Sequence, residues 1–178
     1  MANEDAVSKL KAAADAAYDK NPDSCSNAVW DVLRAVFDPK TPYRTANVLV
    51  DYMTDNWEEV SLDKAAELAN QGVVVVGGKK ETTNGHVIVV YPGPTQNSGG
   101  YLLPAKEGQK PRVQGSHGKF PPAMSTSLGK RWPGAMSRAG DKTVWDPWGN
   151  DANFALVKFW TPRTTAAAAP GAASAPRR

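Results

Sequence analysis

The apolar residues change period at residue 73. Up to Gly72 they recur every three or four positions, as on the faces of helices, and from Val73 onward they come in short β-branched runs, as in strands. A chain whose helices precede its strands is expected to form an α+β domain, with the N-terminal helices packed on an antiparallel sheet. With 178 residues and six tryptophans there is material for one hydrophobic core, so residues 1–163 are read as a single domain. The stretch from 164 to 178, TTAAAAPGAASAPRR, lacks apolar bulk and is expected to be a disordered tail.

Four helices are expected. Val7, Leu10, Ala14 and Tyr18 share one face of the first, which Asn21-Pro22 ends. Asp23 or Ser24 can cap the second, whose inward stripe is Val29, Val32, Leu33 and Val36, with Pro39 as its stop. Thr45 can cap a third with Leu49, Met53 and Trp57, and Ser61 a fourth through Ala65, Ala66 and Leu68 to Asn70 and Gly72. Val73 to Val76 and His86 to Tyr91 should pair as a hairpin across GGKKETTNG, read as turn material. Further strands are expected at 101–103, 112–116, 143–146 and 153–160, while 119–140 reads as loop with a short helix. Trp145, Trp148 and Trp160 are expected to cover one sheet face.

Several function classes fall away. One cysteine cannot close an intramolecular disulfide. One cysteine and two distant histidines give no zinc-ligand spacing, and GVVVVGGKK lacks the pattern of a phosphate-binding loop, so neither metal nor cofactor is expected. The net charge of +3 is spread among interspersed acids and bases, which gives no support to nucleic-acid binding. The N-terminal stretch has no signal-peptide pattern and no segment reaches membrane-spanning length, so cytoplasmic synthesis without membrane insertion, and a monomer, are the expectations.

Cys25 opens the second helix. Free cysteine often packs as a small hydrophobe, but a first-turn thiol also meets unpaired amide N–H groups and the positive end of the helix dipole, which favour thiolate. His86, at the mouth of a buried strand, can supply the base that an attacking thiol needs. His117, in QGSHGK, is the competing histidine and reads as a solvated loop residue. Asn47, Lys79, Lys80 and Ser116 are candidate groove residues, the lysines being equally readable as solvated surface. Trp132 and Trp145 are read as core in preference to cleft.

Asp23-Ser24-Cys25-Ser26-Asn27-Ala28-Val29 resembles the cysteine signature of NlpC-type papain-like cell-wall peptidases, and Gly85-His86-Val87-Ile88-Val89-Val90 resembles their histidine strand. A closer likeness is to the type VI secretion amidase effectors of family one. Thr45-Ala46-Asn47 with Trp57, Ala65-Ala66 through Gln71-Gly72 into Val73, and Tyr91-Pro92-Gly93-Pro94 carry it across residues 21–94. The resemblance implies a papain-like fold with Cys25 as nucleophile and His86 as general base, then acid. The implied substrate is the peptidoglycan stem peptide, cut at the γ-D-glutamyl to meso-diaminopimelate amide, with the D-alanyl crosslink as the alternative bond and a non-enzymatic wall-binding module as the rival class. Gln114, in the strand expected beside His86, or a main-chain carbonyl would orient the imidazole. Asn47 and Ser116 would contact substrate. Delivery by a type VI secretion apparatus into the periplasm of target bacteria and a cognate immunity protein are further expectations of the likeness.

Overall fold

The computed structural model describes residues 3–128 and 132–163; the expected tail at 164–178 lies outside them. Helices α1 (Glu4–Lys20), α2 (Cys25–Val36) and α3 (Ala46–Asn56) come first, then strand β1 (Glu58–Val60) and α4 (Leu62–Asn70). The caps are local side-chain bonds. Asn3, Ser24 and Ser61 each accept an amide hydrogen three residues on, whereas Thr45 takes the N-cap position of α3 without such a bond.

Six strands form one antiparallel sheet in the order β1, β10 (Lys158–Thr161), β2 (Val76–Lys79), β3 (His86–Val90), β8 (Pro122–Ser125), β9 (Ser137–Thr143). Two small ribbons stand apart from it: β4 (Gln96–Asn97) with β7 (Lys119–Phe120), and β5 (Leu102–Leu103) with β6 (Arg112–Val113). A short helix α5 (Asp151–Phe154) precedes β10.

Both faces of the sheet are covered. Val87 and Val89 of β3 turn toward Leu10, Val29, Val32, Leu49 and Met53 of α1, α2 and α3, whereas Ile88 and Val90 turn toward Ala65 and Ala69 of α4 and toward Val144 and Phe159. Burial on both sides explains why β3 is apolar at every position after His86 instead of alternating. The fourth helix therefore lies across the sheet from the other three. Truncating a side chain such as Leu10, which is fully buried, would cost about 2–5 kcal/mol.

Four expectations are corrected. The first strand of the hairpin is Val76–Lys79 instead of Val73–Val76, so its glycines are strand residues and not turn. A Cβ on Gly77 would press to 2.8 Å from Phe159, and one on Gly78 would sit 3.0 Å from Val87 and 3.1 Å from Val50, so only hydrogen leaves room for the layers above and below. The segment 119–140 supplies β7, β8 and most of β9. β9 is an edge strand, with exposed Arg138 and Asp141, and so lacks the apolar run that marks an inner strand. Residues 143–146 and 153–160 are largely turn and helix, with strand only at their margins. The three tryptophans do not share a face: Trp160 packs in the helix-side core, Trp145 stacks on His117, and Trp148 meets His86 edge-on.

Candidate active site

Ser24 leaves helical geometry at φ −142°, ψ 100°, and its hydroxyl accepts from Asn27 Nδ2 at 2.7 Å and from the Asn27 amide at 3.4 Å. That cap starts α2 at Cys25, whose amide, like that of Ser26, falls in the first turn, where intrahelical acceptors are missing. The thiol is half-buried against the helix-side core. Burial pushes its pKa up, and the amide donors of Val87, Ser26 and Cys25 offset that only in part. The helix start therefore does not deliver the resting thiolate that the sequence suggests; desolvation outweighs it, and Cys25 rests as a thiol.

His86 opens β3, one residue before the Val87 amide that faces the sulfur. Burial pushes its pKa down to about 4, which leaves the ring neutral near pH 7. Two groups hold it. Nε2 lies 3.0 Å from Ser125 Oγ, and Trp148 packs edge-on with ring centroids 5.2 Å apart. Ser125 ends β8, the strand that pairs with β3, and is almost wholly buried. No motif marked this serine: PAMS shows neither alternation nor β-branched enrichment, and only the β3–β8 pairing reveals it.

Cys25 and His86 line one cleft of about 520 Å³, together with Asn47, Tyr43, Leu128 and Trp132. Trp132, expected in the core, is a cleft wall. Trp145 is fully buried and carries the core role. Asn47 reaches the cleft with its amide engaged on both sides, accepting from the Glu81 amide at 3.1 Å and donating to Glu81 O at 2.8 Å. It pins the β2–β3 turn to α3. A Cβ on Gly85 would collide with Asn47 Oδ1, so the residue before His86 must be glycine for this clamp to close.

The other candidates lie elsewhere. Gln114 is not beside His86: it follows β6, which pairs with β5, and its side chain donates to Gly115 O at 3.2 Å. Ser116 is exposed and bonds within its own turn, to Gly118. Lys79 is paired with Glu81, and Lys80 lies 2.8 Å from Asp51. His117 stacks on Trp145 at 4.4 Å and sits 3.1 Å from Asp151, outside the cleft. Among the described residues no group of three or more His, Cys, Asp or Glu side chains could hold a metal ion, and no helix is long and apolar enough to cross a membrane.

A half-buried thiol ringed by amide donors, facing the same cleft as a neutral imidazole anchored from behind, has the parts for acyl transfer: a nucleophile, a base and donors for an oxyanion. No protein-family model matches the chain. Over 75 residues, 42% of its length, it is 39% identical to the peptidoglycan amidase Tse1 of Pseudomonas aeruginosa, and it spans about half, 48%, of that relative. The chain is thus similar, through less than half of its own length, to a peptidoglycan amidase.

Proposed function

We propose that this protein is a cysteine amidase of the papain-like, NlpC-type kind that hydrolyses peptidoglycan stem peptides at the γ-D-glutamyl to meso-diaminopimelate bond. The observation that carries the reading is the meeting of Cys25 and His86 in one open cleft, with the Val87 amide directed at the sulfur and Ser125 behind the imidazole. Similarity to a peptidoglycan amidase supports the substrate class.

The two resting groups, neutral thiol and neutral imidazole, set the order of steps. With the Nε2 hydrogen directed at Ser125 Oγ, Nδ1 keeps its lone pair for the thiol proton. As sulfur attacks the amide carbon, His86 takes that proton, and the first-turn N–H of Cys25 receives the developing oxyanion. The imidazolium then protonates the leaving amine, the carbon–nitrogen bond breaks, and a thioester remains. Water, deprotonated by His86, attacks the thioester and restores the thiol. Antibacterial use through a type VI apparatus, with delivery to the target periplasm and an immunity protein in the producer, belongs to the same proposal.

Digestion of purified sacculi followed by mass spectrometry tests it. Release of peptides beginning at diaminopimelate, abolished by Cys25→Ala and by His86→Ala in proteins with unchanged circular dichroism, is the expected result. Products cut at the D-alanyl crosslink would move the bond, and undigested sacculi that still retain the protein would make it a binding module.

A further inference from the structure

Beyond the cleft, on the far side of Trp132, lies a second hollow of about 560 Å³ that the proposed chemistry does not use. Its wall is the β5–β6 ribbon and the turn between them, which bring Lys106, Lys110 and Arg112 to one cavity with Gln109 and Gln114. No carboxylate is among its lining residues, Glu107 of the same turn standing outside the lining. Among the described residues none of the three cations is in an ion pair, whereas Lys79 and Lys80 of the central hairpin each have one.

Trp132 borders both spaces and is held rigidly. Its indole N–H donates to Asp146 O at 2.8 Å, Tyr101 stands at 90° to it, and Gly149 beneath leaves no room for a Cβ, which would fall 2.7 Å from the ring. Asp146 is itself fixed, accepting from the Gly99 and Thr143 amides at 2.8 Å each. The partition is therefore prebuilt. A ligand lying over Trp132 would have its reacting amide at Cys25 on one side and three positive charges on the other.

We infer that this cationic hollow is an accessory subsite for carboxylates of the same wall peptide whose amide lies in the cleft. The inference rests on the proposed function and deepens it. A stem peptide carries free carboxylates beyond any single scissile amide, while its sugar chain is nearly uncharged, so three cations without protein partners match the peptide portion. The three cations are exposed, so each attraction is modest, adds to the others and weakens with salt.

The test is co-sedimentation of the Cys25→Ala protein with purified sacculi, at low and raised salt, on native sacculi and on sacculi whose carboxylates have been converted to amides. Adding Lys106→Gln, Lys110→Gln and Arg112→Gln should weaken binding to native sacculi about tenfold or more and flatten its salt dependence. The same triple change should have little effect on amidated sacculi. A control with Lys9→Gln, Lys40→Gln and Lys119→Gln, exposed lysines outside both cavities, should bind like its parent. Equal binding of triple variant and parent on native sacculi, an equal loss in the control, or an equal loss on amidated sacculi would each overturn the subsite. Turnover is not needed for this readout, so a wild-type protein that releases no peptide would refute the amidase reading separately.

Discussion

Ser125 Oγ lies 3.0 Å from His86 Nε2, and the serine that supplies it is 1% exposed. A buried hydroxyl behind the half-buried imidazole restrains the tilt of the ring, and in the proposed mechanism it accepts the Nε2 hydrogen. Ser125→Ala should lower kcat about 10- to 100-fold with little change in KM, because a buried N–H left without an acceptor costs about 1–3 kcal/mol and frees the ring to turn. Ser125→Thr, which keeps the hydroxyl, should recover part of the loss. Steady-state kinetics on a defined muropeptide separates this from a folding defect, which would lower the active fraction in both variants alike.

The pH profile should have its acid limb near 4. In the proposed mechanism His86 is neutral when it accepts the thiol proton, and burial holds its pKa at about 4, so kcat/KM should stay level from pH 7 down to about 5 and fall below that. A limb near 6.5, the value of a solvated histidine, would show that the ring is not desolvated in solution.

The same shift bears on stability. A folded-state pKa below the unfolded one means that the unfolded chain binds more protons between the two values. The contribution is therefore complete above pH 6.5 and lost as pH falls to about 4. It amounts to no more than about 3 kcal/mol. Urea unfolding midpoints should decline through this window, and the decline should shrink in His86→Ala.

Alkylation of Cys25 should be slow at neutral pH. Burial raises the pKa of its thiol, so iodoacetamide should react more slowly than with a free thiol at pH 7 and accelerate as pH rises past 9. Rapid labelling near pH 6 would instead mark a resting thiolate–imidazolium pair.

Asn47→Ala should uncouple the turn that carries His86. Loss of the two bonds to Glu81 is worth about 1–2 kcal/mol, roughly 4 °C in melting temperature for a domain of this size. Gly85→Ala should act in the same direction through collision with Asn47. In both, kcat should fall further than the stability loss alone requires, read as residual activity well below the melting transition.

The first four helices and β3 were legible because their signals are local. Ser24 and Ser61 announce helix starts by their own side chains, and the run after His86 is apolar at each position because both sheet faces are covered. What was illegible depends on distant pairing. Ser125 becomes a partner of His86 only because β8 docks beside β3, and Gln114, chosen for that place, belongs to a separate ribbon. β1 and β9 have too few apolar residues for a period to show. The thiol acidity expected from a helix N-terminus failed for another reason: the same fold that aims amides at the sulfur also removes it from water, and the second effect is the larger.

β10 lies between β1 and β2, although nearly a hundred residues separate it in the chain from β1. During synthesis the strands on either side must wait with open edges until residues 158–161 emerge from the ribosome, and only then can the sheet beneath the helices close. The sheet that carries His86 therefore cannot close on local contacts alone, because β1 joins it only through a strand nearly a hundred residues further along the chain.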